Sequence, residues 1–231
     1  FGQARGANTA TILPNERYIT AKYGRTILLR NNILTNPDIF SIRKSSFDSA
    51  LDETFYHDYE PRGDFFRTLW HEIGHYLGPD YTKDGRILDV AFEEDASIIE
   101  ELKADLIALF VSKRLYKKRY YTKERLRSVQ AAGIRRVLQK NQPKKTQAYA
   151  TMQLMQMNYY LEKGMLEYDR RKNNLSINYE VYHETVESML REVLAIQYEG
   201  DKAAADAFIE KYTTWDKKHH ERLARAMKKA E

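Results

Sequence analysis

The chain has 231 residues, 42% of them hydrophobic, with 38 basic and 33 acidic side chains and a formal net charge of +5. That length buries a sizeable core, as one large domain or two small ones. Cysteine is absent, which excludes disulfides, thiolate nucleophiles and sulfur-ligated zinc, so any metal must be held by nitrogen and oxygen.

The longest apolar runs, such as LIALFV at 106–111, fall far short of the roughly twenty residues of a membrane span. No signal segment opens the chain. With the lack of cysteine, this favours the cytoplasm and a soluble protein. The start at Phe1 rather than Met suggests a processed or excised chain whose natural start is missing.

The first sixty residues differ from the rest. ATILPNERYITAKYGRTILLRN carries turn residues at Pro14 and Asn15, a break at Gly24 and the β-prone run TILLR, and NNILTNPD has the Asn-Pro signature of a loop. Residues 1–60 are expected to be irregular, with a short strand or two. Residues 61–231 are expected to be a helical domain, the whole forming one unit that is mainly α with minor β.

DFFRTLWHEIGHYLG places Phe66, Leu69, Trp70, Ile73 and Leu77 at three-four spacing, which predicts a helix with that stripe on the core, stopped by Gly78-Pro79. A turn-rich linker, GPDYTKDGR, follows. FEEDASIIEELKADLIALFVSKRLY, KERLRSVQAAGIRRVLQK and TQAYATMQLMQMNYYLEKGMLEYD each carry helical periodicity. The tyrosine-rich basic stretch KRLYKKRYYTKERLR at 113–127 has the composition of a single-strand nucleic-acid binder. A solvated helix end accounts for it better, because the surface charge is mixed, and nucleic acid is disfavoured as a partner. DRRKNNLSIN reads as a polar turn before EVYHETVESMLREVLAIQYEGD. WDKKHHERLARAMKKA reads as a last amphipathic helix with His219 and His220 on different sides. No internal repeat appears.

The chemistry lies in the first two of these helices. His71 and His75 are four apart, so they share a helix face and can present imidazole nitrogens to one zinc ion, with Glu72 beside it. In metalloproteases that glutamate is the general base for a zinc-bound water. A catalytic zinc needs a third protein ligand, and EELKAD at 100–105 supplies candidates. Glu101 can ligate, while Asp105, one turn along, can accept the outer N–H of a ligand histidine. A pair of core histidines and a solvated acidic face are the plain alternatives. Against the second, EELKAD runs directly into LIALFV, and buried carboxylates need a cation or donors.

HEIGHYLGP followed by EELKAD, with upstream LPNERYITAKYGRTILLRN and downstream QMNYYLEKG and LAIQYEGDKAAADAFIEKY, resembles the catalytic region of the dipeptidyl-peptidase III family of zinc peptidases over nearly the whole chain. The resemblance implies a zincin-like helical catalytic lobe in which the two ligand helices pack together. It implies one Zn²⁺ per chain on His71, His75 and Glu101, with Glu72 activating water, the same four residues that the spacing reaches. It also places Glu100 and Asp105 in an outer shell around the ligands. The activity implied is hydrolysis of short peptides, releasing dipeptides from the N-terminus. The family is about twice as long or more, so the resemblance also implies an N-terminal lobe outside this chain.

Two departures stand out. The histidine motif is one residue shorter than in well-studied members, and Tyr149 of QAYATMQ falls where the family has a histidine thought to stabilise the transition state. A phenol can donate a hydrogen bond to an oxyanion but carries no positive charge; alternatively Tyr149 is a packed aromatic. The competing function is a metal-binding lobe without turnover, serving as an interaction or structural module. Glu72 speaks for the enzyme, because a structural zinc has no need of a base.

Overall fold

The computed structural model describes residues 9–13 and 17–230; Phe1, Pro14 and Asn15 lie outside them. Strand β1 (Ala10–Leu13) pairs antiparallel with β2 (Thr26–Leu29), and helix α1 (Arg17–Tyr23) lies between them in sequence. Helices α2 (Asn31–Leu34) and α3 (Pro37–Ala50) and a 3-10 segment, Glu53–Asp58, follow. The described part of the first sixty residues is therefore more helical than its turn residues predict. Asn-Pro is the reason: the Asn36 side chain accepts a hydrogen bond from Ile39 N at 3.0 Å and Pro37 takes the first helical position. The supposed loop signal is a helix start.

Helix α4 (Pro61–Gly74) ends a turn before Gly78-Pro79, with His75 as its cap. Tyr76 N and Leu77 N donate to Ile73 O and Gly74 O, three residues back, the tightened geometry of a closing helix. Its orientation also departs from the apolar pattern. The buried face carries Gly63, Asp64, Arg67, Thr68, His71 and Gly74, while Phe66 and Trp70 are only partly buried and Leu77 is exposed. Hydrophobic spacing fails here because the charges are paired across the interface. Asp64 accepts from Tyr59 Oη at 2.6 Å and Arg43 Nη1 at 3.1 Å, and Arg67 Nη1 meets Asp105 at 2.7 Å. Paired and hydrogen-bonded, these groups escape most of the desolvation cost of an isolated buried charge.

After helix α5 (Leu88–Phe92) and a short 3-10 turn comes α6 (Ala96–Lys117), the central helix, packed against α4, α7 (Lys123–Val137), α8 (Ala148–Glu162) and α9 (Tyr182–Glu199). Ile98, Ile99, Leu102 and Leu106 on α6 are buried, each side chain contributing about 1.5–3 kcal/mol of burial free energy. The acidic motif thus sits on a helix packed on four sides by other helices.

The stretch DRRKNNLSIN is not a simple polar turn. It belongs to a hairpin of β3 (Leu166–Asp169) and β4 (Asn174–Ile177), with Asn173 at φ 58 in the bend. Leu166 and Leu175 are buried by it, so β structure is not confined to the first sixty residues. Helices α10 (Lys202–Tyr212) and α11 (His220–Lys229) complete the chain. Because α11 begins only at His220, His219 lies outside it, and the two imidazole rings meet at 4.1 Å rather than diverging. In the basic stretch, Tyr121 is buried and accepts a hydrogen bond from Trp70 Nε1 at 2.9 Å. None of the described helices is long and apolar enough to cross a membrane.

Candidate metal centre

The packing of α4 on α6 brings His71, His75 and Glu101 together, with one ligand atom of each within 4.8 Å of the others. Glu101 Oε2 lies 3.1 Å from His71 Nε2 and 3.8 Å from His75 Nε2. The imidazole planes are nearly perpendicular, at 87°. Both rings turn their other nitrogen outward to a carboxylate: His71 Nδ1 is 2.6 Å from Asp105 Oδ1, and His75 Nδ1 is 3.0 Å from Glu100 Oε1. Three donors converging inward, backed by two carboxylates, is the pattern of an oriented metal-ligand set.

Each outer carboxylate is itself anchored. Asp105 is held by Arg67 Nη1 at 2.7 Å and Arg136 Nε at 3.1 Å. Glu100 is held by the buried Lys103 at 2.8 Å and by Gln197 Nε2 at 3.1 Å. Burial works to raise the Asp105 pKa, but Arg136, Arg67 and His71 outweigh it and keep the carboxyl well below the ordinary range. Burial likewise opposes ionisation of Glu100, which His75 and Lys103 overcome, and of Glu101, which His71 and His75 overcome. For His71, burial disfavours the charge, yet Asp105 and Glu101 leave its pKa above the usual value. Burial lowers Arg67 to about 10, Arg136 adding to the shift and Asp105 opposing it. Such concentrated perturbation is typical of functional sites.

The cluster opens into a cleft of about 770 Å³ whose lining includes Glu72, Thr68, Arg25, Arg136 and Tyr149. Glu72, next to His71 in sequence, is in the cleft but outside the three-donor cluster. Tyr149, near the start of α8, is 54% exposed, so it is not a packed core aromatic. Although the residue is half exposed, desolvation of its hydroxyl, then the neighbouring Glu101 carboxyl, raises the pKa of the phenol. Arg136 lies over its ring at 5.7 Å. Arg67, Lys103, Arg136 and Gln197 escape motif reasoning. Of these, Arg67 carries a readable signal, four residues before His71 and so on the same helix face.

The residues present fit a divalent metal. Glu101 Oε2 is a buried oxygen without a hydrogen-bond partner, facing two imidazole nitrogens, and an unsatisfied buried carboxylate oxygen is costly unless a cation occupies the space before it. Two imidazoles and one carboxylate are the three-ligand set of an open zinc site.

No protein-family model matches the chain. Among curated proteins it is 28% identical over 224 residues to Nudix hydrolase 3 of Arabidopsis thaliana, which is 92% of this chain and 28% of that protein. Among solved structures it resembles dipeptidyl-peptidase III from Caldithrix abyssi (TM-score 0.85, 25% identity, 96% of this chain and 43% of that one). It also resembles dipeptidyl-peptidase III from Corallococcus sp. strain EGB (TM-score 0.85, 22% identity, 96% of this chain and 41% of that one). The chain therefore spans less than half the length of either structure. It is a structural homologue of dipeptidyl-peptidase III, with a zincin-like helical fold and a His/His/Glu cluster consistent with a zinc-peptidase lobe.

Proposed function

We propose that this chain is the metal-bearing lobe of a zinc-dependent metallopeptidase that hydrolyses short peptides and releases dipeptides from their N-terminus. The observation that carries this is the inward convergence of His71 Nε2, His75 Nε2 and Glu101 Oε2, with Asp105 and Glu100 behind the two rings. When bound, Zn²⁺ would acidify water and polarise a carbonyl oxygen. His71, His75 and Glu101 would hold the ion, and Asp105 and Glu100 would fix the orientation of the histidines. Glu72 takes the proton from the attacking water and passes it to the leaving amine. Tyr149 donates its phenol hydrogen to the oxygen that gains charge, and the raised phenol pKa keeps that hydrogen in place.

Dipeptide release rests on the likeness to the two dipeptidyl-peptidase III structures, whose remaining length leaves room for a second lobe that would complete the peptide site. The stretch matched in Nudix hydrolase 3 is 28% of that protein, so most of it lies outside the shared region, and the peptidase reading is supported by the donor set together with the dipeptidyl-peptidase III structures. A second reading, a zinc-binding lobe with weak or no turnover, is favoured by one feature: Tyr149 brings no positive charge to the cleft. Zinc content and peptide turnover measured together, for wild type and Glu72→Gln, separate the two.

A further inference from the structure

Gly74 sits between the two histidines, three residues after His71 and next to His75, at the point where α4 crosses α6. A Cβ added there would lie 2.8 Å from Ala104 O and 3.0 Å from Ala104 Cα. Ala104 in turn stands three residues after Glu101 and directly before Asp105. The contact is backbone against side-chain position, with no flexible group able to swing away, and Ala104 is itself fully buried. The hydrogen at Gly74 is thus what allows the histidine helix and the acidic helix to approach.

We infer that Gly74 is a positioning residue of the metal centre: its missing side chain sets the helix separation at which His75 and Glu101 can share one ion. This rests on the proposed zinc site, and adds what fixes its dimensions. Restoring ordinary contact after Gly74→Ala requires the helices to part by roughly half an ångström, since well-packed interiors do not absorb a methyl group without shifts. Metal–ligand distances hold to within about 0.2 Å. The crossing is one residue from His75 and from Asp105, so the displacement falls directly on the 3.8 Å gap between His75 Nε2 and Glu101 Oε2 and on the 2.6 Å contact behind His71. Loss of helix separation control would therefore damage metal binding before it damages the rest of the fold.

Gly63, on the same helix, provides the control. A Cβ there would come within 2.3 Å of Ser128 O on α7, a more severe clash that lies two turns before His71 and away from the ligand set. Gly74→Ala and Gly63→Ala should both lower the urea midpoint. Only Gly74→Ala should also lower Zn²⁺ affinity, by about tenfold or more as in other disruptions of ligand orientation, in competition with a chelator. Only Gly74→Ala should change the visible spectrum of the Co²⁺-loaded protein, which reports ligand geometry independently of stability. If Gly74→Ala is folded only with metal present, the rise in urea midpoint on adding Zn²⁺ replaces the titration, and should be smaller than for Gly63→Ala. Wild-type affinity and an unchanged Co²⁺ spectrum in Gly74→Ala would overturn the inference. A wild-type chain that binds no metal would instead remove the zinc site on which it rests.

Discussion

His71 Nδ1 and Arg67 Nη1 converge on one oxygen, Asp105 Oδ1, at 2.6 and 2.7 Å. A single buried carboxylate therefore backs a candidate metal ligand and pairs with a buried guanidinium. Asp105→Asn should act on both functions. Zinc affinity should fall by roughly 10–100-fold, and unfolding free energy by about 3–5 kcal/mol, because Arg67 is left as an uncompensated buried charge. Chelator competition and urea denaturation on the same preparation check the two effects.

On the other histidine the two effects can be pulled apart. Glu100→Gln should weaken zinc binding and also lower stability, since Lys103, whose side chain is 3% exposed, loses the carboxylate at 2.8 Å. Adding Lys103→Met removes the stranded charge. The double variant should recover stability but not zinc affinity, because His75 still lacks its carboxylate partner. Recovery of both would show that Glu100 acts through folding alone.

Acid stability should depend on the other imidazole pair. Burial, with His219 adding to it, lowers the pKa of His220 from 6.5 to about 4, and burial lowers His219 as well. Between those pH values the unfolded chain binds more protons at these two imidazoles than the folded one, so their contribution to stability falls as pH drops from about 6.5 towards 4 and is lost below. His220→Phe keeps an aromatic ring against Trp215, which stacks on His220 at 5.0 Å. Urea midpoints measured across this range should decline less steeply in that variant than in wild type.

Much of the centre was legible in the sequence, and the illegible parts share a cause. HEIGH and EELKAD announce themselves because metal ligation fixes residue type and helical spacing together. The orientation of α4 was not legible, since Phe66, Trp70 and Leu77 mark a hydrophobic stripe while the helix buries Asp64, Arg67 and His71. Periodicity measures apolar residues and is blind to charges that find partners on other helices. Arg136 is invisible for the same reason, its partner Asp105 being set by the packing of α7 on α6, whereas Lys103 and Glu100 form an i,i+3 pair on α6 itself. The Asn36-Pro37 helix start and the β3–β4 hairpin were missed because Asn, Pro and Gly signal both loops and element ends.

Tyr149 tests how the cleft treats developing charge. Tyr149→Phe should leave zinc content and the urea midpoint near wild type, because the ring is 54% exposed, while lowering kcat by roughly 10–10³-fold. Tyr149→His should retain or exceed wild-type turnover, since an imidazole can donate to the same oxygen and can also carry charge. Equal kcat for Tyr149→Phe and wild type would reduce Tyr149 to a wall of the cleft.

The most direct test of the peptidase account is the rate of short-peptide hydrolysis by the whole protein carrying this chain, wild type against Glu72→Gln, with zinc measured on the same samples. Glu72 lies outside the three-donor cluster, so the substitution should leave zinc occupancy unchanged and lower the rate by roughly 10²–10⁴-fold. Equal turnover by the two proteins would remove Glu72 from the reaction, and a zinc-loaded wild type that cleaves no peptide would contradict the account.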